Sequence, residues 1–483
     1  MKATKKSRQR AAPPRRSPRK APRAPQRHAA EGQAFRSREE CLLAGKALRE
    51  ALPRHLHAGW KPPSKGQRDP IAILEASNQD RVPDLVPIRY GRMLRSPFTF
   101  LRGSAGLMAS DLARTPSTGL RVQACGDCHL MNFGLFATPE RNLIFDINDF
   151  DETLPAPWEW DVKRLAVSFA VAARDNGHTD AQARAAAIGC VRSYREHLRD
   201  YSKRSPLDVW YDRLDEKALI EAAPDAEALE RRKSYAAKAR TRVAEYLFPK
   251  ISEEVGGRRR LVDQLPTLFH VQEEDAIELV RLALVEYRRS LPDPVRVMFD
   301  RYRLEDFAVK VVGIGSVGTR CFVGLFFSPE NHPLLLQFKE ARHSVLEPFA
   351  GKSSYDNQGQ RVVCGQRLMQ SSSDILLGWT RSIRGRDFFI RQLRDMKLSL
   401  PVEGASPVQL KRYADYCGWT LARAHAKSGD AATISGYLGR TDNFDQAIGR
   451  FALAYADQNE RDYSALVAAV KAGRVEALIE ENL

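Results

Sequence analysis

Apolar residues recur three and four positions apart over 37–52 (Cys41, Leu42, Leu43, Leu48, Leu52), which predicts a helix there. The same spacing returns over 163–174 and 181–201, then in charged stretches near 216–250 and 274–288, so the whole of 161–287 predicts helix. Two short strand-like runs precede it, 120–124 and 142–147, separated by a loop. From Phe307 the pattern changes. The runs 307–314, 320–327 and 334–340 are rich in Val, Phe and Leu and are bounded by turn residues, which predicts three strands. A helix over 360–370 follows, then a strand pair, 375–382 and 387–392, around Arg384-Gly385, and helices again from about 407. The segment 59–68, rich in Pro, Gly and Lys, predicts a linker, and no internal repeat is present. Helices with a small loop between strands, then a small antiparallel sheet, then helices make the fold class α+β. The boundaries divide the chain into a tail (1–35), a mainly helical lobe with a helical insert (36–300), a sheet-bearing lobe (301–400) and C-terminal helices that return to the first lobe (401–483).

Length and charge refine this picture. A chain of 483 residues exceeds one typical core, in keeping with two lobes. No run of about 20 uncharged apolar residues is present, so no membrane span is expected. The N-terminus lacks the apolar stretch of a secretory signal, and Arg15-Arg16 lacks the hydrophobic region a twin-arginine signal needs. The formal charge of +16 suggests nucleic acid until it is located. Residues 1–30 carry eleven Lys and Arg and no acid; without them 65 basic face 60 acidic residues, a net of +5. The excess is a Pro-, Ala- and Arg-rich tail with nothing to bury, for which disorder is expected, and nucleic acid enters as a partner only through it. Seven scattered cysteines without framework spacing fit a reducing, cytoplasmic setting.

The densest chemistry is Cys125-Gly-Asp127-Cys-His129-Leu-Met-Asn132, followed by Leu143-Ile-Phe-Asp146-Ile-Asn148-Asp149-Phe-Asp151-Glu152. Asp and Asn residues commonly close turns. Here, though, an apolar run leads into four acids within seven residues, a costly arrangement unless a cation or donor offsets it. Oxygen-bearing side chains converging from one loop and one strand end suit Mg²⁺. Cys125-x-x-Cys128 also has the spacing of a redox pair or half a zinc site, but no second Cys or His pair matches it.

These residues resemble the aminoglycoside and choline kinase branch of the protein-kinase-like superfamily. Its catalytic loop, Gly-Asp-x-His-x-x-Asn, is followed by a strand ending in Asp and later by Asp-x-x-x-Leu-Ala. This chain has Gly126 to Asn132, then Phe145-Asp146, then Asp161-Val-Lys-Arg-Leu165-Ala166. The longer pattern resembles a bacterial domain-of-unknown-function family numbered 2252. It runs through Ser96-Pro-Phe-Thr-Phe-Leu-Arg102-Gly103, Asn148 to Glu152, Pro157 to Leu165, Gly313-Ile-Gly315-Ser-Val-Gly318 and Arg391-Gln-Leu-Arg394-Asp395-Met396.

The resemblance implies that Asp127 positions an acceptor hydroxyl, that Asn132 and Asp146 hold Mg²⁺, and that Asp161 braces the loop; Asp149, Asp151 and Glu152 exceed the pattern, their roles open, with Asp149 added as a candidate metal ligand. His129 is expected to be structural. Gly313-x-Gly315-Ser316-x-Gly318 lies between two strands rather than at a helix start, which suits a kinase-type phosphate loop more than a dinucleotide fold. Lys339, one strand later, stands where a kinase places its phosphate-pairing lysine. The helix 360–370 offers that lysine no carboxylate partner. Because the catalytic loop precedes the glycine loop, the expected architecture is a circularly permuted, protein-kinase-like two-lobe fold. The expected cofactors are ATP and Mg²⁺, and the expected activity is phosphate transfer to an acceptor of small-molecule type. A nucleotide-binding pseudokinase or regulatory module, and nucleotidyl transfer on the same fold, remain alternatives.

Overall fold

A computed structural model describes residues 35–480 apart from 63–65, 224, 271–275, 312 and 394. The tail predicted over 1–35 therefore lies, Phe35 apart, outside the described residues. Helix accounts for 53% of the described residues and strand for 15%. Every strand pair among the described residues is antiparallel, so the class is α+β.

The helical core is built around Trp158–Asp175, in which 158–173 are all buried. A helix with no wet face must partner every polar group it carries. Glu159 accepts from the Thr118 amide and hydroxyl at 2.7 and 2.6 Å, and Lys163 donates to the Thr115 hydroxyl at 2.8 Å. Asp161 and Arg164 serve the loop described below. Asp180–Tyr201, opened by a Thr179–Gln182 capping box, packs on this helix. Against it lie Pro407–Ser428, with its own Ser406–Gln409 capping box, and Asn443–Lys471.

The sheet-bearing part is a six-stranded sheet in the order Gly378–Arg381, Asp387–Gln392, Pro333–Glu340, Cys321–Phe327, Arg303–Lys310, Leu268–Phe269. Alternate residues point to opposite faces. One face buries Phe307, Phe326, Phe338 and Ile390 against Tyr287 and Phe299, and the other packs Ala308, Val323, Leu325 and Leu335 on Ile251 and Leu261. The helix Gln358–Met369 connects the strand Pro333–Glu340 to the strand Gly378–Arg381 and packs on the last two strands. Within the stretch predicted as continuous helix, Ser252–Val255 and Arg258–Leu261 instead form a hairpin. Phe133–Ala137, taken as loop by its pattern, pairs with Leu143–Ile147. Both strands of that pair are buried at every position, so neither shows the alternation that marks a half-exposed strand. No helix among the described residues is long and apolar enough to cross a membrane.

Candidate active site

The loop 125–132 is fixed from beneath by the buried helix. Asp161 accepts the Cys125 amide at 2.7 Å and the Gly126 amide at 3.1 Å, and His425 Nε2 lies 3.3 Å from the same carboxylate. Gly126 turns at φ 85°, and a Cβ there would lie 2.4 Å from the Glu152 carbonyl oxygen; only glycine fits both conditions. Arg164, 2% exposed, donates its Nε to Asp127 Oδ1 at 2.7 Å and also forms an ion pair with it. Asn132 donates its Nδ2 to the Asp127 carbonyl at 2.7 Å, which leaves Oδ1 as its available oxygen.

The glycine loop reaches this region from the other half of the chain. Its carbonyls are drawn off by Arg81, which donates to Gly315 (3.1 Å) and Val317, and by the Val82 amide, which donates to Gly318 at 2.8 Å. Lys339, 3% exposed, projects from the central strand with Nζ 2.5 Å from Asp151 Oδ2 and 3.7 Å from Asp149 Oδ2. Ser316 Oγ lies 3.3 Å from the same Asp151 oxygen. A cavity of about 160 Å³ thus collects Asp127, Asn132 and Asp149 with Gly313, Gly315, Ser316 and Lys339; His129, Arg102, Gln337 and Arg391 complete its wall.

Electrostatics separate the two acids flanking Lys339. Burial raises both, but Lys339, Arg391 and Lys397 together hold Asp149 below the usual carboxylate range. Asp151 is raised, by burial and by the Asp149 charge. Burial would lower Lys339, yet the two carboxylates hold it above its ordinary value and charged. Burial lowers His129 to about 4, so the imidazole is neutral at pH 7. Lys397, also beside Asp149, is pushed down to about 7 by burial and then by Arg391.

Asp146 is not brought to the cavity. It is fully buried, paired with Arg423 at 2.6 Å, and accepts from the Ser371 amide and hydroxyl at 2.9 and 2.8 Å. The strand Leu143–Ile147 carries Asp146 inside its ladder, and the chain leaves the sheet only beyond Ile147, so the carboxylate that reaches the cavity is Asp149. The acids beside Lys339 come from the loop 149–151. On the helix Gln358–Met369 the corresponding contact is Arg361, which donates to the Asp151 and Thr153 carbonyls at 2.8 and 2.6 Å. Arg164, Arg102, Gln337, Asp151 and Lys397 had no assigned role in the sequence; the acid cluster signalled Asp151, and the unexplained arginines inside the quoted motifs signalled Arg102 and Arg164. Cys125 and Cys128 lie with Asp161 inside the core, their ligand atoms within 4.8 Å of one another. Both Asp161 oxygens already accept backbone amides, and burial raises both thiols, Cys128 to about 12, as for packed structural cysteines.

An α+β molecule with a charged cavity between a braced Asp–Asn loop and a glycine loop is the class these features define. The chain belongs to the family described as "Uncharacterized protein conserved in bacteria (DUF2252)", which matches residues 81–469. That span begins at Arg81, which holds the glycine loop, and includes every cavity residue named above. No curated protein and no solved structure matches the chain.

Proposed function

We propose that the protein is a kinase-like phosphotransferase of permuted two-lobe architecture, using ATP and Mg²⁺ to phosphorylate a hydroxyl or amine of a small-molecule acceptor. The observation that carries this is the convergence of Asp127, Asn132 and Asp149 with the glycine loop and Lys339 on one cavity, from stretches far apart in the chain. Sheet order adds support. A strand, a glycine loop and a strand are followed by the lysine strand, then a helix and two further strands, the succession expected of a kinase-type small lobe.

The donor set fits Mg²⁺. The free oxygen of Asn132 and the ionised carboxylate of Asp149 are hard oxygen ligands, and Asp151 Oδ1 is buried without a hydrogen-bond partner among the described residues. Bound there, the ion would neutralise phosphate charge. Lys339 and Arg102 would hold phosphate oxygens, with the loop Gly313–Gly315–Ser316 closing over them. Asp127, oriented by Arg164, would align the acceptor oxygen and receive its proton as the new P–O bond forms and the bond to the leaving diphosphate breaks. Neutral His129 packs beside Asp127 without adding charge.

Calorimetric titration with Mg-ATP and a coupled turnover assay test this. Asp149→Asn and Lys339→Met are each expected to cut turnover by 10²-fold or more, and Asp127→Asn to cut turnover while sparing nucleotide affinity. Equal turnover in wild type and Asp149→Asn would overturn the enzyme reading. The missing carboxylate on Gln358–Met369 favours a second reading, a nucleotide-binding module without turnover, which predicts tight Mg-ATP binding and no turnover.

A further inference from the structure

Beside the charged cavity, the strand pair Phe133–Ala137 and Leu143–Ile147 contributes to a second cavity of about 330 Å³. That volume falls at the lower end of the roughly 300–1,000 Å³ typical of small-molecule pockets. Its floor is apolar: Leu135 and Phe145 from the strands, Leu219 and Ile220 from the helix Glu216–Glu221, Ala236 from the helix Ala226–Arg240, and Leu410.

The rim is cationic. Arg232 lies over the Tyr416 ring at 5.6 Å and donates to the Leu219 carbonyl. Among the described residues Arg231 pairs only with the exposed Glu227, a contact that water and salt weaken. Arg412 is half-buried and has no carboxylate partner among the described residues. Of the two acids in the lining, Glu216 is committed to Arg240, and Glu403 is exposed at the lip. The mouth is therefore positive over an apolar floor.

We propose that this second cavity binds a small amphipathic carboxylic acid, its apolar body on Leu135, Phe145 and Leu219 and its carboxylate at Arg412. A planar guanidinium held at a partly desolvated rim matches a carboxylate's two oxygens, while the floor has no polar side chain to reward a second charge. Occupancy would bear on the first cavity through Tyr413. This wall residue donates to the carbonyls of Leu130 at 2.7 Å and Phe133 at 3.1 Å, on either side of Asn132. The binding itself does not depend on nucleotide chemistry.

Calorimetry on the full chain, with dodecanoate and dodecanol below their aggregation limits, tests the proposal. Dodecanoate is expected to bind at one site per chain, at least tenfold more tightly than dodecanol. Arg412→Glu should weaken dodecanoate at least tenfold and leave dodecanol unchanged. Leu219→Trp, at a half-buried position of the apolar lining where the larger indole takes up cavity space, should abolish both, with thermal unfolding confirming that each variant is folded. The proposal is overturned by any of three results: no saturable binding of dodecanoate to wild type, equal affinity for acid and alcohol, or wild-type affinity in folded Arg412→Glu or Leu219→Trp.

Discussion

Lys339 sits in a buried position where its charge is balanced by two carboxylates on one short loop. Removing one member of such a group costs more than the group contributes, because a charge is then left without its partner. Lys339→Met is accordingly expected to lower stability, and adding Asp151→Asn to restore part of the loss. A double-mutant cycle by urea unfolding should show a coupling of about 1–3 kcal/mol, whereas simple additivity would mean that the contact carries no energy. Two buried histidines give a pH signature. Burial lowers His129 from 6.5 to about 4 and His57, with a smaller contribution from Lys163, from 6.5 to about 3. A depressed histidine pKa contributes stability that is fully present above 6.5 and is lost as pH falls from there toward the folded value. Each histidine costs up to about 1.4 kcal/mol per pH unit in that window. Urea midpoints measured from pH 7.5 to 5 should fall, and His57→Phe should make the fall shallower; an unchanged slope would contradict the burial account. At this scale Asp127 and Asn132 stood out because their spacing forms a motif, Lys339 because it follows the glycine loop by one strand, and Asp149 only as one of a cluster of acids. Arg164 was not, since an arginine in an apolar helix has no sequence mark that aims it at a loop 37 residues earlier.

The elements that hold these side chains impose stricter demands than the side chains do. Gly126 needs both a left-handed backbone and the absence of a Cβ against Glu152. Gly126→Ala is expected to destabilise by about 2–4 kcal/mol, strain and overpacking together, measured by denaturant unfolding at constant m-value. A change below about 0.5 kcal/mol, the usual size for an unremarkable surface substitution, would show that the loop relaxes freely. Tyr413→Phe, which leaves two buried carbonyls without their donor, should cost about 1–3 kcal/mol. The long helices were readable from apolar residues recurring three and four positions apart, and the sheet strands from runs rich in Val, Phe and Leu bounded by turn residues. The strands Phe133–Ala137 and Leu143–Ile147 are buried throughout, and only the second had the apolar run before an acid cluster that gave it away. Asp146 was misplaced for the same reason: a motif gives the order of acids along a strand, not the residue at which the chain leaves the sheet.

Across the whole molecule, charge is distributed unevenly. Deleting residues 1–30 takes the formal charge from +16 to +5. On a heparin column the shortened chain should elute at distinctly lower salt; unchanged elution would shift polyanion affinity to residues beyond 30. The α+β class and the succession of helices, sheet and helices could be read from composition along the chain. The contacts that hold distant stretches together, such as those of Arg81 with Gly315 and Val317, could not, because an arginine far along the chain carries no mark of its partner. Arg423 and Tyr413 lie on the helix Pro407–Ser428, after every residue that lines the charged cavity, yet they hold Asp146 and the carbonyls beside Asn132. During synthesis that pocket therefore cannot set until the helix Pro407–Ser428 has left the ribosome. A premature stop near codon 400 would yield a product containing every lining side chain and lacking the clasp that gives them their shape.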